Sequence, residues 1–411
     1  MNTFWLTNVV LETGFVEEVG QVTKTQTEIA YIKIVDGKMV EIAQTEPNDE
    51  FPTVNGEGKL LIPSLRDMHI HIDKTYYGGP WKAVKPAPKG VQSRIEEEQT
   101  ILPQQLPFAQ ARAEKMIELL LRNGHTHIRT HCNVDPVIGL KNLEATVNAL
   151  EKYKDSLSYE IVAFPQHGLL RSDSVQLVRD AMKNGATLVG GVDPATIDRN
   201  IEKSLHTIFD IAVEAGTGVD IHLHDLNTLG AFTFERMAHY TKEAGLKGRA
   251  TISHGSALAD LEGEALIEMV SLLTEQQIDV TTTVPITRAT IPIPTLDRLG
   301  MNVSLGHDSI TDHWSPFGTG NTINKMSVLA ERFRQMDEKS LASIVKYGTG
   351  GISLLNEDGK RNWPKVGDEA SMILVDASCS AEAVARRATV DCVYFKGKRV
   401  ESKLHEYVLF S

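Results

Sequence analysis

Residues 65–71 have the sequence LRDMHIH and residues 218–224 have the sequence GVDIHLH, two short, mostly apolar runs that end in histidine. Amphipathic segments such as 108–124, which stops at Gly124, separate runs of this kind. The other runs are 127–133, 159–165, 187–194, 250–254, 278–285 and 302–308. Eight strand candidates that alternate with helices predict an α/β fold, a closed parallel (β/α)8 barrel of the TIM type. An open doubly wound sheet is the alternative, but the first βα turn lacks its phosphate-binding glycine motif.

Both ends of the chain have the pattern of β structure. Residues 30–42 (AYIKIVDGKMVEI) place Asp36-Gly37 between two strand-like runs, which is a strong hairpin signal. Residues 369–377 and 391–400 repeat the pattern near the C-terminus, with a weaker turn at Lys396-Gly397. We therefore expect both termini to join in one small β-sandwich domain. The predicted division assigns 1–60 and 357–411 to that domain and 61–356 to the barrel.

The composition is that of a soluble globular protein. The 411 residues carry a net charge of −12 without a basic cluster, so nucleic acid and anionic membranes are poor partners. No apolar stretch approaches the roughly 18 residues that span a bilayer. The first residues lack the early Lys or Arg of a signal peptide. Three cysteines without CxxC spacing (Cys132, Cys379, Cys392) favour a reducing compartment, and we expect a cytoplasmic protein.

The predicted strands end in groups that bind metal ions. From the first, fifth, sixth and eighth strands these groups are His69 and His71, His222 and His224, His254, and Asp308. Residues i and i+2 of a strand face the same side, so each His-x-His pair can converge on one ion. Imidazoles with a carboxylate suit zinc or iron(II), whereas calcium and magnesium prefer oxygen ligands. One His-x-His pair could simply line a polar strand end, but four such strand ends together favour a metal site.

These residues and their neighbours resemble the amidohydrolase superfamily. Within it the chain is similar to cytosine deaminases and, more closely, to the N-isopropylammelide amidohydrolases of s-triazine breakdown. The likeness covers the barrel and both flanking β segments, including GDEA (367–370) before MILVD. The matching stretches are HIHIDKT (69–75), VAFPQHG (162–168), LVGGVDPAT (188–196), DIHLHDLNTLG (220–230), ISHGSALAD (252–260) and GHDSITDHWSPFGTGN (306–321).

The resemblance implies a mononuclear metal hydrolase. The ligands of its one divalent ion, zinc or alternatively iron(II), would be His69, His71, His222 and Asp308. His254 would hydrogen-bond the attacking water and the tetrahedral oxyanion, while Asp308 would also shuttle a proton. Gln166 would hydrogen-bond the heterocycle, and Lys74 and His224 match residues of the triazine enzymes, where the lysine faces the substrate.

Two positions depart from the cytosine deaminase pattern. Asp225 stands where those enzymes have a glutamate that protonates a ring nitrogen, in an HLHD run like that of the triazine enzymes. Ser309 stands where they have a second aspartate, so a contact with the leaving amino group is lost or weakened. Both changes count against cytosine itself but leave hydrolysis of a ring C–N bond intact. His224, Asp225 and Lys74 are the candidates for protonating the ring.

Two polar positions admit two interpretations each, and one acidic run has a simple one. Asp193 could bridge a second ion, but we favour a role in shaping its loop and capping the helix near Asp198. Lys74 could be a solvated surface lysine, but its place directly after the metal motif favours a substrate contact. The acidic run 96–98 (Glu-Glu-Glu) is most simply a solvated face.

Other residues near the predicted strand ends are candidate parts of the pocket. Gln166 could satisfy backbone groups at a strand end, but the preceding proline favours a loop that crosses the barrel mouth. Trp314, Trp81 and Phe317 could stack on a flat ring or pack in the core. His131 lies near the end of the second strand, where it can touch the site.

Three functional hypotheses follow from these residues. The first is an aminohydrolase that displaces ammonia or an amine from a planar nitrogen heterocycle, a cytosine-like pyrimidine or an s-triazine, by attack of metal-activated hydroxide. The second is a cyclic amide hydrolase with a binuclear centre, as in dihydropyrimidinases. The third is a non-catalytic scaffold of the same fold. The expected partner is the small heterocycle, and because similar enzymes are homo-oligomers we also expect self-association.

Overall fold

The computed structural model describes residues 3–401, so the end of the predicted C-terminal segment (402–411) lies outside the described residues. Its strands are β1 (Thr3–Glu18), β2 (Gln21–Val35), β3 (Lys38–Ala43), β4 (Thr53–Asn55), β5 (Leu60–Pro63), β6 (Leu65–Ile70), β7 (His125–Asn133), β8 (Ser158–Phe164), β9 (Leu188–Val192), β10 (Gly218–His222), β11 (Ala250–Ser253), β12 (Asp279–Thr282), β13 (Val303–Leu305), β14 (Met372–Val375), β15 (Val390–Phe395) and β16 (Lys398–Arg399).

The helices alternate with the strands through the middle of the chain. They are α1 (Val91–Gln105), α2 (Ala109–Arg122), α3 (Lys141–Glu151), α4 (Val175–Lys183), α5 (Ile201–Ala215), α6 (Asn227–Glu243), α7 (Gly263–Glu275), α8 (Ile293–Arg298), α9 (Thr322–Phe333), α10 (Glu338–Ser343) and α11 (Ser380–Ala385). Short 3-10 turns occupy Leu106–Phe108, Ser256–Ala259 and Ile344–Gly348. Each helix within residues 3–401 is too short or too polar to cross a bilayer.

Among the described residues, eight strands form a parallel sheet in the order β6 to β13, a near-closed barrel. Each strand pairs with the next along the chain, as β10 does with β9 and β11. The strands are short and rich in apolar residues because parallel strands of this kind are buried on both faces. The eight predicted strands and the α/β barrel are thus confirmed, and the open doubly wound alternative is wrong.

The first and last barrel strands meet beside the predicted metal ligands. Ile70 pairs with Asp308, and the Asp308 amide donates to the carbonyl of His69 at 2.6 Å. His71 returns a hydrogen bond from its amide to the Asp308 carbonyl at 2.9 Å. Glycine is required at position 306 because a Cβ there would lie only 2.5 Å from the His69 Cβ. This close approach places the Asp308 side chain next to both histidines.

Strands from both termini form a second, mixed sheet in the order β16-β15-β14-β5-β1-β2-β3, with β4 beside β1. The C-terminal strands join the N-terminal ones where β14 runs antiparallel to β5. The predicted hairpin is confirmed, because Asp36 and Gly37 have φ of 46° and 82°, as a type I′ turn requires. The weaker turn at Lys396-Gly397 also forms, between β15 and β16.

Helix α2 illustrates why the segments between barrel strands are helical. Its buried positions Ala113, Met116, Ile117 and Leu120 follow the i, i+3, i+4, i+7 spacing of a one-sided apolar stripe. That stripe packs into the barrel core. The chain leaves the helix at Gly124, whose φ of 92° few other residues adopt, as the sequence predicts.

A polar network centred on three charged residues crosses the barrel interior and links four strands. Arg129 of β7 donates to Glu160 of β8 at 2.8 Å and to Asp220 of β10 at 2.9 Å. Asp220 is fully buried and also accepts a 2.5 Å hydrogen bond from Ser253 of β11. The network therefore ties the strands that carry the candidate site to one another.

We expect Glu160→Gln to lower the free energy of unfolding by about 2 kcal/mol at pH 7. Although burial opposes ionisation, a hydrogen bond from His127 and the charge of Arg129 lower the pKa of Glu160 to about 2. A carboxyl whose pKa is depressed on folding stabilises the protein above its ordinary pKa of 4.5, and this stabilisation is lost as the pH falls toward 2. Urea unfolding of both proteins, in steps from pH 7 to about pH 4, measures the difference.

The matched control is Glu357→Gln, because the Glu357 side chain is 87% exposed and should contribute almost nothing. A difference between wild type and Glu160→Gln that stays constant down to the lowest pH would contradict the assigned ionisation.

Candidate metal centre

Four predicted ligands converge at the mouth of the barrel. The ligand atoms of His69, His71, His222 and Asp308 all lie within 4.8 Å of one another. Oδ1 of Asp308 is 3.4 Å from Nε2 of His69 and 3.2 Å from Nε2 of His71. The imidazoles are buried, whereas the Asp308 side chain is 29% exposed, so the cluster opens outward past the carboxylate.

The tautomer of His69 follows from its hydrogen bonds. Ser253 has one hydroxyl proton, which it donates to Oδ1 of Asp220 at 2.5 Å. The serine oxygen must therefore accept the 2.8 Å hydrogen bond that joins it to Nδ1 of His69. Nε2 of His69 then carries a lone pair, and this is the nitrogen that faces the carboxylate of Asp308.

His71 is oriented in the same way by the backbone. Its Nδ1 lies 2.9 Å from the carbonyl oxygen of His131, which can only accept, so Nε2 again holds the lone pair. Burial and the charge of Lys74 lower the pKa of His71, and burial and His69 lower that of His222 well below its ordinary value. Neutral, oriented imidazoles are what a metal ion requires. His131 also touches the site, because its ring lies 4.0 Å from that of His69.

The residues present fit a divalent ion. Within the described residues, buried polar atoms without a hydrogen-bond partner include Nε2 of His69, Nε2 of His254 and both ring nitrogens of His222. Buried polar groups are nearly always paired, so unpaired nitrogens that surround one carboxylate indicate a ligand. Three imidazoles and one carboxylate match the preferences of Zn²⁺ and Fe²⁺. Phe164 stacks on His222 at 4.0 Å and restrains that ring.

Left-handed backbone turns aim several of these side chains. Asp193 and His254 directly follow β9 and β11, and Asp308 follows β13, with φ of 35°, 70° and 61°. Non-glycine residues rarely adopt such angles, and they do so disproportionately at functional sites. The turn brings Nε2 of His254 to 3.9 Å from Oδ2 of Asp308. Burial and His224 lower the pKa of His254 well below its ordinary value, so this ring is neutral.

Asp193 holds His224. Its Oδ2 accepts from Nδ1 of His224 at 2.9 Å, and its Oδ1 accepts from the His224 amide at 2.6 Å. Although burial opposes protonation, the Asp193 carboxylate raises the pKa of His224. The predicted helix cap is wrong, because the N-cap of helix α5 is Asn200, whose side chain accepts from the Lys203 amide.

Asp225 lies beside this pair with one oxygen available. Thr196 donates to its Oδ1 at 2.7 Å, whereas its Oδ2 is buried without a partner among the described residues. Burial and the neighbouring Asp193 charge raise the pKa of Asp225, which favours its protonated form.

Lys74 is buried, which excludes the surface interpretation. It is 1% exposed and donates to Oε1 of Glu98 at 3.2 Å, to Asn133 at 3.1 Å and to Gln166 at 3.0 Å. Glu98 itself is fully buried, so the prediction of a solvated acidic face is wrong for this residue. Its position held a usable signal, since it lies three residues after Ile95 and three before Ile101 on the buried face of α1.

The predicted aromatic residues differ in environment. Trp314 is partly buried and its indole nitrogen donates to Glu98 at 3.0 Å. Trp81 and Phe317 are 74% and 78% exposed, so core packing is wrong for both. Ser309 and Asp308 border a cavity of about 340 Å³. Its walls are mostly apolar and include Val284, Pro285, Ile286, Phe317 and Val328.

A second group of titratable side chains is internally satisfied. Nδ1 of His307 contacts Oδ2 of Asp67 at 2.7 Å. His125 contacts the Leu120 carbonyl through Nδ1 and the Thr322 hydroxyl through Nε2. Because hydrogen bonds already occupy these ring nitrogens, the group differs from the cluster at Asp308, where ring nitrogens lack partners among the described residues.

Comparison with known proteins places the chain in a family. A model of the Amidohydrolase family matches residues 53–401. The chain is 44% identical over 401 residues to the uncharacterized protein YahJ of Escherichia coli K12, which covers 97% of this chain and 87% of YahJ. It is 29% identical over 378 residues to the N-isopropylammelide isopropyl amidohydrolase of Pseudomonas sp. strain ADP, which covers 89% and 92% of the two chains.

A solved structure agrees with this relationship. The N-isopropylammelide isopropylaminohydrolase of Burkholderia multivorans superposes with a TM-score of 0.85 at 27% identity, over 97% of this chain and 98% of that one. The match includes the barrel and the sheet built from both termini. The resemblance inferred from the histidine motifs is therefore confirmed, and the protein is a member of the amidohydrolase family.

Proposed function

We propose that the protein is a metal-dependent aminohydrolase that cleaves an exocyclic C–N bond of a planar nitrogen heterocycle. The observation that carries the proposal is that the ligand atoms of three buried histidines and Asp308 lie within 4.8 Å of one another. Zinc is the proposed ion and iron(II) the alternative, and one ion per chain is expected. The ion supplies a Lewis acid that makes a water nucleophilic at neutral pH.

Asp308 and His254 serve the attack on the ring carbon. Oδ1 of Asp308 lies 3.4 and 3.2 Å from the ligand nitrogens of His69 and His71 and would bind the ion, so Oδ2 is left as the proton acceptor. Its Oδ2, which faces His254, takes the proton of the attacking water and returns it to the leaving nitrogen. Neutral His254 donates a hydrogen bond through Nε2 to the oxygen that adds to the ring carbon. As the amine leaves and the carbonyl forms, this oxygen gives up its remaining proton, which restores the protonated form of Asp225.

A ring nitrogen must gain a proton as the attacked carbon becomes tetrahedral. Asp225 suits this role because its raised pKa favours the protonated form and its Oδ2 has no partner in the described structure. His224, held by Asp193, lies next to it and can stabilise the charge left on Asp225. These two residues replace the glutamate of the cytosine deaminase pattern.

Gln166, Lys74 and Trp314 form the proposed ring-binding wall. Because Lys74 donates to Oε1 of Gln166, the amide NH₂ of that glutamine is left to meet an acceptor on the ring, such as a carbonyl oxygen. The partly buried indole of Trp314 offers an apolar face to a flat heterocycle. Such a wall suits oxo-substituted pyrimidines and s-triazines.

The leaving group is the least constrained part of the substrate. Ser309 is a small residue, and the apolar cavity of about 340 Å³ begins beside it and Asp308. We propose that this cavity receives an alkyl substituent on the departing nitrogen. The relatives from Pseudomonas and Burkholderia are named as hydrolases of N-isopropylammelide, which supports an s-triazine substrate with an alkyl group on the departing nitrogen.

The test is amine and ammonia release from a panel of rings by protein loaded separately with zinc and with iron(II). The panel contains cytosine, 5-substituted cytosines, isocytosine, ammelide and N-alkylammelides. We expect release from one ring class, with N-alkylated rings preferred over ammelide by about tenfold in kcat/KM, because alkyl burial in the cavity stabilises the bound state.

Two outcomes would contradict the proposal. Hydrolysis of a dihydropyrimidine or hydantoin ring, with no amine release from the panel, would make the protein a cyclic amide hydrolase. No hydrolysis of any ring by fully metal-loaded protein would favour a scaffold.

A further inference from the structure

The acidic run 96–98 in helix α1 divides between solvent and interior. Glu96 has a side chain 50% exposed, and Glu97 pairs with Arg94 of the same helix at 2.6 Å. Glu98 is fully buried, on the face of α1 that carries Ile95. A carboxylate is buried in this way only where several donors compensate for the loss of water.

Glu98 joins five side chains from four segments of the described chain. Oε1 accepts from Lys74 at 3.2 Å, from His313 at 2.7 Å and from Trp314 at 3.0 Å. Oε2 accepts from Asn133 at 3.1 Å and from His167 at 3.2 Å. Four of the five partners are buried and the fifth, Trp314, is partly buried.

The proposed ring-binding wall depends on this carboxylate. The Nζ of Lys74 has three protons, and the acceptors that surround it are Glu98, Asn133 and Gln166. When Glu98 and Asn133 accept two of these protons, the third is donated to the side-chain oxygen of Gln166. The amide NH₂ of Gln166 is thereby turned away from Lys74.

We propose that Glu98 is the positioning residue of the ring-binding wall: it fixes Lys74 and Trp314 directly and Gln166 through Lys74, without touching the ring. This inference rests on the proposed function. It assigns helix α1, inserted between the first two barrel strands, the task of shaping the substrate wall.

A carboxylate is required because an amide cannot satisfy the same partners. Glutamine at position 98 has one acceptor oxygen and an NH₂ that would face donors on one side. If its oxygen meets Lys74, His313 and Trp314, its NH₂ faces the N–H groups of Asn133 and His167. The change therefore releases part of the wall while the side-chain volume stays the same.

The experiment compares Glu98→Gln with Glu96→Gln, a matched change two residues away on the solvent side. On the ring that the wild type hydrolyses, we expect Glu98→Gln to raise KM by about tenfold or more and to change kcat by less than about threefold, because the wall binds ground state and transition state alike. Metal content should be unchanged. Glu96→Gln should match the wild type in all three.

A substrate-free readout follows Trp314. The protein is labelled with 5-fluorotryptophan, and the ¹⁹F signal of Trp314 is assigned by its loss in Trp314→Phe. We expect Glu98→Gln to move this signal and Glu96→Gln to leave it in place. An unmoved Trp314 signal or an unchanged KM in folded Glu98→Gln overturns the proposal. A joint loss of kcat and bound metal also overturns it, because that result indicates a merely structural role.

If Glu98→Gln does not fold, Lys74→Met/Glu98→Leu removes both charges and avoids a buried unpaired ion. The fluorine criterion for Trp314 then applies to that variant, with the wild type as its reference. If the wild type hydrolyses no ring, the proposed function fails, and the Trp314 signal alone decides whether Glu98 positions the wall.

Discussion

Asp308→Ala is expected to lower kcat/KM by at least about 10³-fold while the barrel remains folded. The carboxylate has two tasks in the proposed reaction, one at each oxygen. Oδ1 lies 3.2 to 3.4 Å from the ligand nitrogens of His71 and His69, and Oδ2 faces His254. Its removal therefore weakens the metal centre and also deletes the acceptor for the proton of the attacking water.

Steady-state kinetics, metal content and thermal unfolding of the same preparations separate these effects. Asp308→Asn keeps the volume and one oxygen, so it should retain more metal than Asp308→Ala but remain as inactive, since an amide cannot accept the proton. Asp376→Asn is the control, because that side chain is 70% exposed and pairs with Lys59 at the surface. Near-normal activity of Asp308→Ala would show that the reaction does not use this centre.

Removal of the metal with a chelator is expected to abolish hydrolysis and to lower the unfolding temperature. The second effect has a structural cause, since buried nitrogens of His69 and His222 have no partner among the described residues. An ion that binds only the folded chain contributes about 4 kcal/mol at a thousand times its Kd. Zinc or iron(II) added back should restore both activity and stability.

Elemental analysis should give one ion per chain in the wild type and a much lower value in His222→Ala. His206→Ala is the matched control, because His206 is exposed on helix α5. Two ions per chain would support the binuclear cyclic amide hydrolase instead. A fully folded protein that binds no divalent ion would support the scaffold hypothesis.

The barrel and the ligand positions could be predicted from the sequence because both depend on local pattern. Most barrel strands are short runs that contain apolar residues between helical segments, and a parallel strand buried on both faces leaves this signature without reference to its neighbours. His69 and His71 are two residues apart on one strand, so their common direction follows from the period of the strand. Convergence with His222 and Asp308 follows from the rule that strand ends of a barrel meet at one face.

The interpretations of Asp193 and Glu98 went wrong for the opposite reason. The partner of Asp193 is His224, 31 residues away in sequence, and the loop pattern at Asp193-Pro194 gave no sign of it. Glu98 shares its run with two acidic residues that are both more exposed than it is. The charge of the run, taken alone, favours a position facing solvent. Only the helical spacing from Ile95 pointed inward, and that signal is weak beside three consecutive glutamates.

The sequence alone therefore determined the alternation of strands and helices, the paired termini and the set of candidate metal ligands, since these rest on periodicities within about ten residues. The tertiary structure decided which ring nitrogen of His69 and His71 is free, and it buried Glu98 and paired it with Lys74. Those properties depend on contacts such as Ser253 with His69 and Glu98 with Trp314, which join residues 184 and 216 positions apart. Their energies come from burial and hydrogen bonding between distant segments, which only the folded barrel brings together.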